Sequence, residues 1–452
     1  MDLPDPDKVI DSLVPKNYAD AEILDRFDIG PDQLLWDPEK DWIRRVDWED
    51  VRSEFAGTEL NFAVGAADKE SVSARKDPFE KLTGIDVEII AIPDANFYDK
   101  AVTEFVSESG RFDATEYFAP WLGDFAEPGF LKDLSGYIDK YNYPLDDFYE
   151  TYKMNYAWYA DEGIFGLPYD CDFQMMQGRT GYFSEHSTET LGPKQPIETY
   201  DDLTDFAEQI NDPDGGTYGV GLMGARGFWA AYTWFHVAAQ YGMDLFNSDW
   251  TPAISSDAGV AGLKKMVELI EYAPPGVTSW GWPDNRSAWL GGQLGLNIAW
   301  QEQGSQALRP DQSNIVDDDP ITLYEPLADH PDARFAPPNI AGSTASVSAS
   351  AQRPEAGFLM CAFYTTASAQ ALNGLQANGV ATGYKNVIKN EAYQQVTPPA
   401  EVWGGCFCSF GARHRLGGSL RFLRGAGPRR VWCRPKSHFL TNATGCRRVC
   451  RS

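Results

Sequence analysis

Asp170 and Asp172 stand two residues apart in Gly163-Ile-Phe-Gly-Leu-Pro-Tyr-Asp-Cys-Asp172, a stretch that runs on into Phe173-Gln-Met-Met176. In an extended strand alternate side chains share a face, so both carboxylates lie on one side and Tyr169, Cys171 and Phe173 on the other. Pro168 removes a ladder donor, which suits a strand start or a crossing better than a sheet centre. With Glu302 these acids are candidates for the carboxylate pair of a glycoside hydrolase, although 66 acidic residues supply such pairs by chance. An edge strand with a solvated acidic face explains Asp170 and Asp172 equally well. Of five histidines, only His186, His236 and His330 precede residue 402, which leaves base chemistry to carboxylates. There is no P-loop, nucleophile-elbow serine, zinc-type histidine pair or kinase signature. Gly219-Val-Gly-Leu-Met-Gly224 matches a dinucleotide fingerprint but follows a very short strand after a polar turn, so the glycines read as turn residues.

The aromatic residues carry a second signal. Seven of the 14 tryptophans fall between Trp229 and Trp300. Trp234 has helical spacing and reads as core, whereas Trp280, Trp282 and Trp300 sit on or beside loops at strand ends. Flat apolar rings beside carboxylate acceptors are what sugar recognition requires, the ring covering C–H groups and the carboxylate taking hydroxyl protons. Rings that cap the core at the surface are the plainer reading.

A chain of 452 residues is long enough for two units of ordinary size. The formal charge of −28 is uneven, because the last acid is Glu401 and eleven Lys and Arg follow it. Residues 1–401 hold 27 basic against 66 acidic residues, a net of −39. Such a surface excludes nucleic acid or an anionic membrane as main partner and reads as salt-adapted. Plentiful periodic apolar residues argue against disorder. Only Cys171 and Cys361 precede residue 402, so neither a disulfide framework nor a metal cluster is expected. The first residues show no export signal and no lipid-attachment cysteine, and no segment is apolar enough to span a membrane.

The elements that must position these residues alternate. Residues 1–57 read as an acidic extension, with a short helix near Asp47–Glu54. Leu60–Gly65 is a strand, Ser71–Leu82 a helix, Val87–Ile92 a strand, Phe97–Ser109 a helix and Phe112–Phe118 a strand, as in an open α/β sheet. Helices are expected at Tyr200–Ile210, Phe228–Gln240, Asp257–Tyr272 and Pro354–Ala377, the last stopped by Asn378-Gly379. The helix from Asp257 shows an apolar stripe of Val260, Leu263, Met266, Val267 and Ile270. Leu294–Trp300 and Ile340–Ser348 are further strands. Residues 402–452 hold no acid, eleven basic residues and five of the seven cysteines, without apolar period. That is the composition of an out-of-frame, GC-rich reading, and the tail is expected not to fold. A cysteine-rich metal module is the competing reading, but it lacks paired C-x-x-C spacing.

In order along the chain, these pieces resemble the extracellular solute-binding proteins of family 1, the carbohydrate-binding components of ABC importers. The resemblance spans about Leu60 to Tyr393. It rests on Phe79-Glu-Lys-Leu-Thr-Gly-Ile-Asp-Val-Glu, Ser109-Gly-Arg-Phe-Asp and Trp121-Leu-Gly-Asp-Phe-Ala-Glu-Pro-Gly-Phe-Leu. It continues through Gly163–Asp172, Trp289-Leu-Gly-Gly-Gln-Leu-Gly-Leu-Asn-Ile-Ala-Trp300 and Arg353-Pro-Glu-Ala-Gly-Phe-Leu. It implies a two-lobed α/β fold of the type II periplasmic-binding-protein kind, with crossover hinge strands. One lobe would be 58–170 with about 345–385, the other 171–344 with about 386–401. It further implies a carbohydrate ligand, a membrane permease as partner, no cofactor, no catalysis, a monomer and an extracellular location. Carried over residue by residue, Asp68, Glu116, Tyr117, Trp121, Asp172, Trp229 and Trp300 match cleft positions. Tyr169, Asp170, Trp282 and Ser343 stand at the cleft edge. A polyamine or another polar solute remains an alternative ligand, as does the hydrolase reading. The glycine pair that family members often carry before the second crossing is thinned here to Ile340-Ala-Gly342.

Overall fold

The computed structural model describes residues 41–186 and 197–397, apart from 161, 319, 324–325, 335, 337 and 376–379, with seven isolated positions before residue 41. Most of the acidic extension before residue 41, the Asn378-Gly379 stop and the basic segment 402–452 lie outside the described residues.

The alternation in the first third builds one sheet. β1 (Glu59–Gly65), the helix Lys69–Thr83, β2 (Asp86–Ile92), the helix Asp94–Ser107 and β3 (Ala114–Phe118) follow one another. β1 pairs in parallel with both β2 and β3. β4 (Trp158–Tyr159) and β5 (Gly163–Ile164) form a small antiparallel pair beside it. β6 (Leu167–Pro168) closes the far edge of the first sheet. The single strand expected over Gly163–Met176 is therefore broken. Its continuation, β7 (Gln174–Arg179), belongs to a second sheet with β8 (Tyr218–Gly221), β9 (Leu294–Trp300) and β10 (Pro320–Leu323), in the order β10-β7-β9-β8. β11 (Ser343–Val347) returns to the first sheet and pairs antiparallel with β3 and β6.

Two segments thus pass between the sheets, and they pair with each other. Ala341 donates to the Asp172 carbonyl, Ser343 to that of Asp170, and Gln174 to that of Asn339. Gly342 has φ +108, and a Cβ there would lie 2.2 Å from the Asp170 carbonyl oxygen. One glycine suffices for the crossing because only this position combines a positive φ with backbone against backbone.

The core of the first sheet reaches beyond the expected boundaries. The helix Trp48–Phe55, capped by Asp47, buries Trp48, Val51 and Phe55 in it, together with Trp42. Charges around these residues hide their i, i+3, i+7 spacing in the sequence, and each buried ring contributes roughly 2 kcal/mol. The helices Lys385–Ile388 and Glu391–Val396, expected with the second lobe, add Val387, Tyr393 and Val396 to the same core.

Three further expectations are corrected. In the helix Asp257–Leu269 the stripe Val260, Leu263 and Val267 is exposed, and Ala258, Gly259 and Gly262 face inward. Gly262 packs against Ala238 of the helix Phe228–Gln240 so closely that a Cβ would lie 2.4 Å from its Cα. Close helix contact needs small residues, so Ala258, Gly259 and Gly262 are buried in place of Val260, Leu263 and Val267, while Met266 is buried as expected. The glycines of Gly219–Gly224 likewise serve packing, not a turn. A Cβ at Gly219 would sit 2.1 Å from the Ala207 carbonyl oxygen of the helix Tyr200–Ile210. The helix expected over Pro354–Ala377 is two helices, Pro354–Tyr364 and Ala367–Leu375.

Candidate functional site

Asp68 precedes the helix Lys69–Thr83 but does not cap it. An aspartate in that position ordinarily contributes about 1 kcal/mol by accepting from the first turn. Here its side chain turns to Glu116 and accepts from Ser343 Oγ at 3.4 Å. Glu116 projects from β3, and its Oε2 accepts from the Gly65 backbone N–H at 3.0 Å. The carboxyl ends of β1 and β3 and the start of β11 therefore bring Asp68, Glu116 and Ser343 together. Ligands of open α/β sheets collect at that end. A surface depression lined by Glu54, Thr58, Glu59 and Arg353 lies at the opposite end of β1.

The crossing supplies the next two carboxyls. The Asp170 and Asp172 carboxyls are in hydrogen-bond contact with each other. Gln301, next after β9, holds the crossing in place: its Nε2 donates to Asp172 Oδ1 at 2.7 Å and its Oε1 accepts from Phe173 N–H at 2.9 Å. The hydroxyls of Tyr152 and Tyr156 donate to the carbonyls of Cys171 and Asp172.

The second sheet contributes the rings. Trp300 packs with Met223, Ala299 and Ala341, and Trp229, Tyr232 and Trp282 lie against this group, partly exposed. The Tyr232 and Trp300 ring centres are 5.8 Å apart. The Trp282 indole N–H donates to Glu302 Oε1, and the Arg286 guanidinium lies over the Trp282 ring. Glu302 follows Trp300 by two residues and is 4% exposed.

The carboxyls act on one another. Burial, then the charges of Asp172 and Asp68, push Asp170 well above the usual carboxylate range. Burial raises Asp172 to about 6, against the hydrogen bonds from Gln301 and Asp170. Glu116 is raised by burial and then by Asp68, and Glu302 by burial and then by Asp172. Asp68 and Asp94 are also raised, first by burial. Among the described residues no group of three acids, histidines or cysteines is placed to hold a metal ion.

Of the residues expected at the site, Asp68, Glu116, Ser343, Asp170 and Asp172 form this acidic group, and Trp229, Trp282 and Trp300 form the aromatic one. Tyr117 does not join them. It alternates with Glu116 on β3, is fully buried, and its hydroxyl donates to the Tyr156 carbonyl inside the first sheet's core. Tyr169 is also buried in core, behind Asp68 and Glu116. Trp121 stands half-buried in a separate cluster, 5.2 Å from Tyr98 and 4.6 Å from Phe118 between ring centres. The sequence offers Glu302 only as a candidate catalytic carboxylate and passes over Tyr232 and Gln301. Tyr232 lies three residues after Trp229 on one helix, a spacing that puts both on one face. Gln301 carries no signal beyond standing next to Trp300.

Residues 61–371 match the model of the bacterial extracellular solute-binding protein family. The chain is 25% identical to the mannitol-binding protein of Pseudomonas aeruginosa over 318 residues, 67% of this chain and 68% of that one. It is 24% identical to a probable amino-acid ABC transporter periplasmic-binding protein of Sinorhizobium fredii over 263 residues, 56% of this chain and 58% of that one. An alignment with the erythritol/L-threitol-binding protein of Mycolicibacterium smegmatis takes in only 44% of that relative's length. Its fold is that of an ABC transporter solute-binding protein from Agrobacterium radiobacter in complex with ribitol, with a TM-score of 0.69 and 18% identity over 78% of this chain and 87% of that one. Maltose-bound T. maritima MalE3 gives 0.68 and 22% over 78% and 88%. These likenesses establish the two-lobed α/β architecture of type II periplasmic-binding proteins. With the family's model matched over most of its length, the chain belongs to the bacterial extracellular solute-binding proteins.

Proposed function

We propose that this chain captures a sugar or polyol in the cleft between two lobes and presents it to the membrane permease of an ABC importer, with no chemistry on the ligand. The observation that carries this reading is the apposition of Asp68, Glu116, Asp170 and Asp172 to the ring group of Trp229, Tyr232, Trp282 and Trp300. Carboxyls accept hydroxyl protons while the rings cover C–H faces. The lobes meet at 169–173 and 339–342, and the paired crossings there act as the hinge. Location outside the cell, a monomeric state and adaptation to high salt belong to the same reading. A hydrolase is disfavoured because the family matched over residues 61–371 is one of solute-binding proteins, and Asp170 and Asp172, in hydrogen-bond contact, are too close to straddle a glycosidic bond, which needs roughly 5 Å or more between carboxyls.

The test is a thermal-shift and calorimetric series of sugars and polyols in molar salt. A ligand at 100 times its Kd stabilises by about 2.7 kcal/mol, a readily measured rise in Tm. Absence of any shift across mono- and oligosaccharides and polyols, or turnover of a chromogenic glycoside, overturns the reading.

A further inference from the structure

Glu302 has no other carboxyl in hydrogen-bond contact, unlike the Asp68–Glu116 and Asp170–Asp172 pairs. Asp68 leans on Glu116, and Asp170 on Asp172, and each such contact accommodates a shared proton. Glu302 has no such arrangement. Its Oε1 takes the Trp282 indole N–H, while its buried Oε2 receives no hydrogen bond from any other residue among those described. Arg286 acts on it electrostatically from beside Trp282, with its own N–H groups given to Gln306 and Gln312. The Asp170–Asp172 pair lies near it, Asp172 acting on it through its charge. Among the described residues no Lys or Arg forms an ion pair with Asp68, Glu116, Asp170, Asp172 or Glu302.

A neutral polyol supplies hydrogen-bond donors to such a site but no positive charge. An ammonium supplies both, and its attraction to a buried carboxylate is far stronger than in water. The rings of Trp282, Trp300 and Tyr232 add faces on which a cation is favoured.

We propose that the cleft prefers a sugar or polyol that carries a protonated amine, with the ammonium against Glu302 and the hydroxyls on the Asp68–Glu116 and Asp170–Asp172 pairs. This rests on the reading of the cleft as a sugar or polyol site.

The experiment is calorimetry on the full chain with matched pairs that differ in one amino group: sorbitol with 1-amino-1-deoxysorbitol, and glucose with glucosamine. Spermidine, an amine without hydroxyls, is the fifth probe. The amine member of at least one pair is expected to bind roughly tenfold more tightly or better. Glu302→Gln should bring that ratio close to one, and the wild-type ratio stands whether or not the variant folds. Equal or weaker binding of the amines, with the neutral members still bound, overturns the amine preference and leaves the sugar or polyol reading standing. Binding of spermidine alone overturns both, and binding of none of the five overturns the amine preference while the wider sugar and polyol series decides the other reading.

Discussion

Gln301 grips Asp172 across the boundary between the two sheets: its side-chain amide donates to Asp172 Oδ1 at 2.7 Å and accepts from the next backbone N–H, that of Phe173. Gln301 directly follows the strand that ends in Trp300, so one short segment holds both the Trp300 ring and the clamp on the crossing. On the proposed reading, a ligand stacked on Trp300 and the geometry at Asp172 are borne by that same segment.

Trp300→Ala should weaken binding of a sugar or polyol by about 1–3 kcal/mol, the range of a well-used aromatic anchor. Because Trp300 is 4% exposed, part of its burial is core packing and the variant should also melt earlier. Calorimetry on the folded variant separates the two effects. Unchanged affinity would return Trp300 to the core.

Gly342→Ala places a Cβ against the Asp170 carbonyl at a positive φ and should cost about 2–4 kcal/mol. Denaturant unfolding measures it directly. A loss below about 0.5 kcal/mol would mean that the paired crossings yield easily and do not define the hinge.

Raised carboxyls give the empty protein a pH signature. In the folded chain Asp172 keeps its proton up to about 6, whereas in the unfolded chain it loses it near 4. Between those values the folded state binds more protons, so this contribution falls as pH rises: full below about 4, gone above about 6. Glu116, Asp170 and Glu302 act in the same sense to higher pH. Asp133, Asp146 and Glu355, lowered by their hydrogen bonds and neighbouring lysines, act oppositely as pH falls below the ordinary carboxylate range. Asp172→Asn should flatten the decline in Tm between pH 4 and 6. An unchanged slope would remove Asp172 from the buried acidic group.

The helix Asp257–Leu269 makes a paired prediction. Val267→Lys, on the exposed stripe, should change stability by no more than about 0.5 kcal/mol. Gly262→Val should cost about 1–3 kcal/mol by overpacking against Ala238. The reverse order of costs, read from urea unfolding, would mean that the aliphatic stripe is the packed face.

Salt should matter greatly. With a net of −39 over residues 1–401, Tm is expected to rise markedly from millimolar to molar salt as carboxylate repulsion is screened. A flat profile would dismiss the salt-adapted reading.

The sequence alone determined the α/β alternation from Glu59 to Phe118, the capped helix Tyr200–Ile210 and the strand Leu294–Trp300, because period and capping are local properties. It also put Asp170 and Asp172 beside each other, although the strand expected there is broken between Pro168 and Gln174. Long-range packing decided the rest. Whether Val260 or Gly262 faces inward depends on how closely the neighbouring helix approaches, and whether Trp42 and Tyr393 join the first core depends on a sheet distant in sequence. Tyr117 and Glu116 are adjacent candidates in the sequence, yet the pleat of β3 sends one into the core and the other toward Gly65 and Asp68. The grouping of Glu302 with Asp172 exists only because two sheets, joined by crossings 170 residues apart in number, meet at one place.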